Sequence, residues 1–348
     1  LGNGSTNAAY QKLTQTVEEG TVVTFAKVPA RTGYVNQGWS SKKNSEKATA
    51  KAKCTVNKNI TLYAVQKKAV QLTFHRCDGS TWQKTTLAKG SSYSLPGVRD
   101  AEGYTFMGWS TKPMQSVSPQ YEAEEKITVN GNVDLYAVVF NRTTETDLTE
   151  DQLPQVDIYK YKQVIFVGDS RTEFMENVLT GMGESATKNV KFVCSAGKGL
   201  DWFTTTGWAQ LYSIVQHDSN SILSKKTAVI FNFGVNDLSK SADYAEYYNW
   251  IAPQLKSKGC ELYFMSVNPV NRLMLPNAGR ADRSEAAVRS FNQYMKANLS
   301  SAYTYIDMYS YLKSTGYSFA SDHYGTGTVD DGLHYTTRTY KRIFAKCM

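Results

Sequence analysis

The sequence predicts a three-layer α/β/α domain with a parallel sheet over residues 158–348, preceded by two small domains built mainly of β-strands. Three observations support this prediction. After the first 157 residues, short apolar runs alternate with amphipathic segments, which is typical of β-α-β units. In the N-terminal part, the segment 33–40 recurs as 103–110. Between the two parts, residues 142–157 are Thr-rich and acidic without any periodicity, and we expect them to form a linker.

The composition is that of a multidomain protein without a membrane span. The chain has 348 residues, of which 41% are hydrophobic, enough for two or three domains. No stretch approaches the run of about 18 apolar residues that a membrane-spanning helix requires. The net charge of +8 would suit an anionic polymer, but the lysines are scattered among acidic residues. This pattern indicates a solvated surface, and no nucleic-acid partner is predicted.

The first residue bears on targeting, and the cysteines bear on disulfides and metal sites. The chain begins at Leu1, and its opening has neither the basic nor the apolar region of a signal peptide, so we expect upstream targeting information to have been cut away. The five cysteines include no Cys-x-x-Cys pair and predict neither a zinc site nor a disulfide framework. A bridge between Cys54 and Cys77 stays open, with two unpaired small side chains as the alternative.

Both copies of the N-terminal repeat contain three separated signatures. Gly-Tyr, Gly-Trp and Leu-Tyr-Ala lie in the first copy at 33–34, 38–39 and 62–64, and in the second at 103–104, 108–109 and 135–137. The last signature belongs to an alternating, β-branched strand that follows an Asn-x-Asn turn in both copies. The first copy lacks only its leading strand, which again indicates a cut inside a longer protein.

These signatures resemble the β-grasp repeat of bacterial surface proteins known from internalin B. The resemblance implies one repeat at 1–68, truncated at its N-terminus, and a second at 69–141. It also implies a secreted or cell-surface bacterial protein whose repeats act as spacers or contact a cell-surface polymer or a host surface. For Trp39 and Trp109, we favour a place in the core of each unit over a role as ligand platforms.

The C-terminal part contains five apolar runs of strand length and five amphipathic segments of helix type. The predicted strands are 164–167, 190–194, 228–233, 262–267 and 303–306. The predicted helices begin near Thr172, Asp201, Asp243 and Ser284, and the last one follows Thr336.

Three of the predicted strands end in unusual residues, and parallel sheets place ligands at the carboxyl ends of their strands. The first is followed by Gly-Asp-Ser at 168–170, which brings Ser170 to the start of a helix where backbone N–H groups favour negative charge. The second is followed by Ser-Ala-Gly-Lys-Gly at 195–199. The third is followed by Gly-Val-Asn-Asp at 234–237, which places the amide donor of Asn236 at a strand end.

A fourth segment lies just before the last predicted helix. Asp331 and His334 are three residues apart in a loop that contains glycine. A serine hydroxyl is a weak nucleophile without a base, and a histidine that is oriented by a carboxylate can supply one. We therefore expect these two side chains to turn toward Ser170.

In order along the chain, these four segments resemble the sequence blocks of the SGNH (GDSL-like) hydrolases. The resemblance implies a flavodoxin-like fold and a serine esterase that needs no metal and no cofactor. It implies Ser170 as the nucleophile, His334 as the general base and Asp331 as the residue that orients the histidine. Its oxyanion hole would consist of the Ser170 N–H, the Gly199 N–H and the Asn236 side chain.

Three points of this assignment stay open. Gly197 competes with Gly199 for the oxyanion hole, and Asp330 competes with Asp331, although its spacing to His334 is one residue too long. Arg171 replaces the leucine that gives the Gly-Asp-Ser-Leu motif its name, which leaves substrate preference in doubt.

The sequence also suggests three other kinds of site. Asp322, His323, Asp330, Asp331 and His334 suggest a metal-dependent deacetylase, but no second cluster accompanies them and no metal site is predicted. Residues 197–202 imitate a dinucleotide-binding loop, but Trp202 replaces the third glycine. An aromatic set could line a sugar-binding cleft or pack the core: Trp202, Phe203, Trp208, Tyr247, Tyr248 and Trp250.

The sequence as a whole predicts a surface-associated bacterial esterase. Its expected substrate is a small acyl ester, most readily acetyl on a carbohydrate or a cell-surface glycan, hydrolysed through an acyl-enzyme on Ser170. The alternative is an adhesin whose hydrolase domain is incidental or inactive, or directed at lipid esters.

Overall fold

The structure is a computed structural model that describes residues 13–216, 226–320 and 330–348. The chain divides into two compact units. The first runs to Ser94 and includes Lys126–Leu135, and the second consists of Leu95–Glu125 and Tyr136–Met348. In the described ranges, no helix has both the length and the apolar character needed to cross a membrane.

The first unit is built of antiparallel strands. Strand β2 and strand β5 both pair with β4, β1 pairs with β3, and β6 pairs with β8. The strands are β1 Thr21–Thr24, β2 Tyr34–Ser40, β3 Lys53–Val56, β4 Tyr63–His75, β5 Thr81–Ala88, β6 Ser91–Ser94 and β8 Lys126–Val129. The N-terminal repeats are therefore rich in β-structure, as predicted.

Strand β4 belongs to both repeats. Its residues 63–68 pair with β2 of the first copy, and its residues 69–75 pair with β5 of the second. No glycine or proline interrupts the sequence from 64 to 75, so nothing in this stretch ends the strand. The boundary predicted between residues 68 and 69 consequently falls in the middle of a strand.

The two repeat tryptophans make equivalent hydrogen bonds. Trp39 Nε1 donates to the carbonyl of Ala26 (2.6 Å), and Trp109 Nε1 donates to the carbonyl of Pro96 (2.8 Å). Trp109 is completely buried and Trp39 is partly buried. Both indoles therefore fasten an upstream segment of their own repeat, which fits the interpretation as core residues.

In the second unit, β7 Tyr104–Ser110 pairs with the Tyr136–Asn141 part of β9 Val133–Asn141, and a parallel sheet of five strands follows. Its spatial order is β11, β10, β12, β13, β14. The strands are β10 Tyr161–Gly168, β11 Val190–Cys194, β12 Lys226–Asn232, β13 Cys260–Met265 and β14 Tyr303–Ile306. The five predicted strands are these five, and the predicted parallel sheet is confirmed.

Seven helices accompany the strands in the described part of the second unit. They are α1 Ser170–Thr180, α2 Leu200–Trp202, α3 Trp208–Gln216, α4 Ser241–Ser257, α5 Glu285–Asn298, α6 Met308–Thr315 and α7 Thr337–Cys347. A π-helical turn, Phe203–Gly207, joins α2 to α3. Every predicted helix is present within two residues of its predicted start. Helix α6 was not predicted, although Asp307 caps it by accepting a hydrogen bond from Ser310 N.

Alternate residues of the central strands face opposite layers of helices. Ile165 and Val167 of β10 join one buried cluster, together with side chains of α3, α4 and α5. Val164 and Phe166 join the other cluster, together with side chains of α1, α6 and α7. This alternation is the physical basis of the three layers. Phe203 and Tyr248, from the open aromatic set, are fully buried in the first cluster, whereas Trp250 is exposed.

Residues 142–157, predicted as a linker, pack closely on the second unit. They contain two 3₁₀ turns, Arg142–Thr144 and Glu150–Gln152. Leu153 and Val156 are buried in the second cluster. The segment is therefore a fixed part of the surface that surrounds the sheet.

All five cysteines belong to the described residues, and none of them forms a disulfide. The bridge between Cys54 and Cys77 is thus not made in this structure.

Candidate active site

The strand register places three of the predicted motifs side by side. Gly168, at the end of β10, lies opposite Cys194 of β11 on one side and Asn232 of β12 on the other. The loops that follow these strands leave the same edge of the sheet at the same level. Ser170 and Asn236 are carried on two of these loops, and Gly199 on the third.

Ser170 is the first residue of α1, immediately after the turn that ends β10. The side chain of Asp169 caps the helix by accepting a hydrogen bond from Arg171 N (3.0 Å). The N–H groups of a first helical turn have no partners inside the helix, so the Ser170 N–H is suited to bind a developing negative charge. Only 6% of Ser170 is exposed.

Ser170, His334 and Asp331 form a continuous chain of hydrogen bonds. His334 Nε2 lies 2.9 Å from Ser170 Oγ, and His334 Nδ1 lies 2.6 Å from Asp331 Oδ2. Asp331 Oδ1 also accepts hydrogen bonds from the backbone N–H groups of Leu333 (2.9 Å) and His334 (2.8 Å). The ring of Phe174 packs on the imidazole, with ring centroids 4.2 Å apart. The imidazole is therefore fixed by contacts on its face and at both nitrogens.

The surroundings keep the imidazole neutral and the carboxylate charged. Burial lowers the pKa of His334, and the charges of Arg171 and Arg280 act in the same direction, against the opposing effect of Asp331. Burial alone would raise the pKa of Asp331, but the hydrogen bonds from His334 outweigh it and leave that pKa below its ordinary value. A neutral histidine beside an ionised aspartate is the state in which the histidine can accept a proton.

Arg280 contacts the same carboxylate as the histidine does. Its Nε and Nη2 atoms both lie 3.2 Å from Asp331 Oδ2. The guanidinium is partly exposed, so it adds a positive charge at the surface of the site. Asp331 therefore has two cationic or potentially cationic neighbours, Arg280 and His334.

Asn236 has a fixed amide orientation. Its Nδ2 donates to the carbonyl of Lys198 (2.8 Å), and its Oδ1 accepts from Arg283 Nη2 (2.8 Å). Arg283 is itself held by the carbonyls of Val235 (2.6 Å) and Ala281 (2.9 Å). Because an amide nitrogen carries two hydrogens, Asn236 Nδ2 has a second one with which to donate.

Gly199 lies against Asp237, the last residue of the third motif. Asp237 Oδ2 accepts a hydrogen bond from Leu200 N (2.9 Å), and its Oδ1 accepts one from Tyr244 Oη (2.7 Å). A Cβ atom added to Gly199 would collide with the Asp237 carboxylate, whereas Gly197 lies in open space. Only glycine fits at 199, so the second and third motifs meet at this point.

Arg171 does not face a substrate position. It is 2% exposed, and its guanidinium donates to the carbonyls of Leu333 (3.0 Å), Asn268 (2.8 Å) and Pro269 (2.8 Å). These bonds join the loop after β13 to the loop that carries His334. The arginine in place of leucine thus has a structural role. Its contacts give no reason to connect it with substrate preference.

Of the two competing aspartates, Asp331 contacts the histidine and Asp330 does not. Asp330 Oδ1 accepts from Gly332 N (2.8 Å), and its Oδ2 accepts from Arg142. Asp322 and His323, the other members of the suggested metal cluster, lie outside the described residues. Within the residues that the structure describes, no group of three or more His, Cys, Asp or Glu side chains could hold a metal ion.

The sequence did not predict the roles of four residues around the site: Arg171 and Asp237, which were noted without these contacts, and Arg280 and Arg283, which were not noted. Asp237 lies inside a quoted motif, and its position beside Asn236 could have suggested a supporting role. The two arginines after residue 279 lie in a loop without periodicity, far along the chain from their partners. Nothing in the sequence signals their contacts.

Comparison with protein families gives two results. The family model described as GDSL-like Lipase/Acylhydrolase matches residues 164–347, more than half of the chain. The model of the Listeria-Bacteroides repeat domain matches residues 2–65 and 71–138. No curated protein matches the chain significantly.

Several solved structures are similar to part of the chain at low identity. An acetyl xylan esterase, AlAXEase, is 11% identical, with 53% of this chain and 97% of that chain covered and a TM-score of 0.36. The C-terminal catalytic domain of peptidoglycan O-acetyltransferase A from Streptococcus pneumoniae is 16% identical, with 53% and 89% covered and a TM-score of 0.31. The psychrotrophic esterase EstA from Pseudoalteromonas sp. is 10% identical, with 53% and 94% covered and a TM-score of 0.33. On the match over residues 164–347, the chain belongs to the family of GDSL-like lipases and acylhydrolases, ester hydrolases of the SGNH type, and it carries Listeria-Bacteroides repeats in its N-terminal part.

Proposed function

We propose that the chain is a serine esterase that removes small acyl groups, acetyl most readily, from carbohydrate or cell-surface glycan through an acyl-enzyme on Ser170. The continuous hydrogen-bonded chain from Asp331 through His334 to Ser170 Oγ carries this proposal. The family supplies ester hydrolysis as the reaction class. The contacts of the individual residues support the roles proposed for them.

In the first half of the reaction, Ser170 Oγ attacks the ester carbonyl carbon while His334 Nε2 takes the hydroxyl proton. The imidazolium that forms is stabilised by Asp331. The negative charge that develops on the carbonyl oxygen is met by the N–H groups of Ser170 and Gly199 and by Asn236 Nδ2. The bond to the alcohol then breaks, His334 returns the proton to the departing oxygen, and the acyl group stays on Ser170.

In the second half, water takes the place of the alcohol. His334 removes a proton from the water, which attacks the acyl carbon, and the carboxylic acid leaves as Ser170 regains its proton. Every proton that moves is carried by His334, so no metal ion or cofactor takes part in the proposed steps.

The polarity of the described surroundings supports a small acyl group and a hydrophilic alcohol. Lys198 is exposed, and Asn236, Arg280 and Arg283 are partly exposed around the triad. A long acyl chain gains affinity from apolar contacts, at roughly 0.8 kcal/mol per buried CH₂ group, and these side chains offer few of them. Sugar hydroxyls, in contrast, find donors and acceptors here.

The same proposal extends to the place of action. Repeats of the Listeria-Bacteroides type in front of the hydrolase fit a secreted or cell-surface enzyme whose repeats contact a surface polymer. We propose that the chain consists of a first repeat at 1–68, a second repeat at 69–141, a connecting segment at 142–157 and the hydrolase domain at 158–348.

The first prediction concerns Ser170. Ser170→Ala abolishes the hydrolysis of p-nitrophenyl acetate, because the nucleophile is lost, while the unfolding temperature stays at the wild-type value. A serine-directed phosphonate labels the wild-type protein at Ser170, seen by peptide mass spectrometry, and does not label the variant. A folded Ser170→Ala protein with most of its activity would end the proposal.

The second prediction concerns the substrate. In a series of p-nitrophenyl esters from acetyl to octanoyl, kcat/KM is highest for acetyl and falls as the chain lengthens, because polar side chains surround the site. Release of acetate from an acetylated polysaccharide, followed enzymatically, tests the carbohydrate part. A maximum at octanoyl would favour the lipid-directed alternative, while phosphonate labelling of Ser170 would still hold.

The third prediction concerns Asn236. Asn236→Ala lowers kcat by about a hundred- to a thousand-fold, the loss typical of one oxyanion donor, with little change in KM. Asn236→Asp is the matched variant, since it keeps an oxygen for Arg283, loses the donor and adds a negative charge beside the oxyanion, and it lowers kcat at least as much. Variants that unfold at lower temperature yet turn over normally would remove Asn236 from the oxyanion hole.

The fourth prediction concerns pH. The neutral form of His334 is the base, so kcat/KM rises with pH through the His334 pKa, and the midpoint lies below 6.5, the ordinary value for histidine. Arg280→Gln moves this midpoint to higher pH, because it removes a positive charge that opposes protonation. Asp169, whose pKa burial raises to about 6, titrates nearby, but Arg280 is not among the groups that shift it. Arg272→Gln is the control: it changes an arginine farther along the same loop and leaves the midpoint unchanged. Equal midpoints in the wild-type protein, Arg280→Gln and Arg272→Gln would contradict the assignment.

A further inference from the structure

A buried cluster of charges links the second repeat to the residue next to Asp331. Arg142 Nη2 donates to Asp100 Oδ2 (2.8 Å) and to Asp330 Oδ2 (2.5 Å). The side chains of both aspartates are almost fully buried, with exposed fractions of 1% and 8%. Because one nitrogen carries two hydrogens, each carboxylate receives one of them. Asp100 and Arg142 come from the repeat side of the second unit, and Asp330 begins the His334 loop (residues 330–335).

Each aspartate is bonded firmly to its own segment. Asp100 Oδ1 accepts from Phe106 N (2.8 Å), at the start of β7. Asp330 Oδ1 accepts from Gly332 N (2.8 Å), inside the His334 loop. A displacement of Arg142 would therefore also displace the backbone of both segments.

A second connection runs parallel to the first through Asn271. Its side-chain amide donates to Asp100 Oδ1 (2.8 Å) and to the carbonyl of Val98 (3.1 Å). Its backbone N–H donates to the carbonyl of Gly332 (2.8 Å). Gly332 has φ = 66°, and a Cβ atom there would collide with the Asn271 carbonyl. The loop thus approaches Asn271 as closely as a glycine allows.

Burial affects the ionisation of Asp100. Burial raises the pKa of Asp100 well above its usual range, and the neighbouring Asp330 raises it further, against Arg142 and the Phe106 N–H. The two carboxylates thus share one guanidinium in a buried position. Loss of the guanidinium would leave two acidic groups buried together, which is costly without a partner.

The segment that carries the cluster is itself rigidly packed. Met107, Val138 and Phe140 belong to the same hydrophobic cluster as side chains of β10 and α1. Lys313 of α6 is buried and donates to the carbonyl of Met107 (2.9 Å). The repeat side therefore provides a fixed support rather than a mobile arm.

From these contacts we propose that Asp100 of the second repeat and Arg142, the first residue after that repeat, are positioning residues of the esterase: acting through Asp330 and Asn271, they hold the His334 loop so that His334 meets Ser170. This inference rests on the proposed function of the triad. It gives the second repeat a part in the hydrolase site, beyond a role as spacer or adhesive module. None of these residues touches the reacting atoms.

The test compares three variants of the full chain. Arg142→Gln removes the positive charge, and kcat for p-nitrophenyl acetate falls by roughly ten- to a hundred-fold while KM stays constant, because the base is displaced and the substrate contacts are not. Arg142→Lys keeps a charge that both carboxylates can approach, and it restores most of the loss. Phe140→Leu weakens the packing of the same segment without touching the cluster; it lowers the unfolding temperature and leaves kcat near the wild-type value.

Two further readouts report on the loop itself. The rate of phosphonate labelling at Ser170 falls in parallel with kcat in Arg142→Gln. The downfield proton resonance of the His334 Nδ1–H, which depends on the Asp331 bond, weakens or shifts in the same variant and returns in Arg142→Lys. If Arg142→Gln does not fold, Asn271→Ala takes its place, since it breaks the parallel connection without changing any charge and lowers kcat in the same way.

The outcomes separate this inference from the proposed function. A wild-type protein that the phosphonate does not label overturns the esterase assignment and the inference together. A labelled wild-type protein with normal kcat in folded Arg142→Gln, or in Asn271→Ala, overturns the inference alone. Loss of kcat in Phe140→Leu as large as in Arg142→Gln, at an equal loss of thermal stability, shows general destabilisation and also overturns it.

Discussion

The site depends first on one buried guanidinium. Arg171 follows Ser170 directly and donates to backbone carbonyls of two separate loops, at Asn268, Pro269 and Leu333. Neither loop is held by a long helix or strand at these points, and the carbonyls of Asn268 and Leu333 find their donor in this side chain, while Pro269 also accepts from the Tyr335 hydroxyl. Ser170 and His334 are thus connected twice, once by their own hydrogen bond and once through this arginine. Removal of the guanidinium would leave the carbonyls of Asn268 and Leu333 without this donor, each a cost of about 1–3 kcal/mol.

The sequence predicted those parts of the molecule that local patterns encode. The three inner strands β10, β12 and β13 contain continuous apolar runs at 164–167, 228–231 and 262–265, because both faces of the sheet are covered there, and such runs are visible without a structure. Ser170 could be chosen because it follows a predicted strand, and Asp331 and His334 because they lie three residues apart in a loop just before the last predicted helix. Helix α6 was missed because it is short and its cap, Asp307, directly follows a strand. In a single sequence, such a capping residue is easily taken for part of a loop.

The parts that the sequence could not predict are long-range polar contacts. Arg280 reaches Asp331, and Arg283 reaches Asn236, across about fifty residues of intervening chain. Arg142 reaches Asp330 across a still longer interval. Hydrophobic periodicity says which face of an element is buried, but an arginine in a loop carries no such period. Its partner is fixed only when several elements have packed. Burial and Arg171 lower the pKa of His334 from within the fold and the motif, but the further charge of Arg280 comes from a residue that no motif contains.

The shared strand β4 has a mechanical consequence. A chain of separate domains joined by flexible linkers lengthens under tension before any domain is loaded, because the linkers straighten first. Here the backbone passes from the pairings with β2 directly to the pairings with β5, with no slack between residues 68 and 69. Tension along β4 reaches both sets of interstrand hydrogen bonds at once and strains them in shear, where many bonds resist together. At this junction the two repeats therefore respond to stretching as one stiff element and not as two domains joined by a flexible linker.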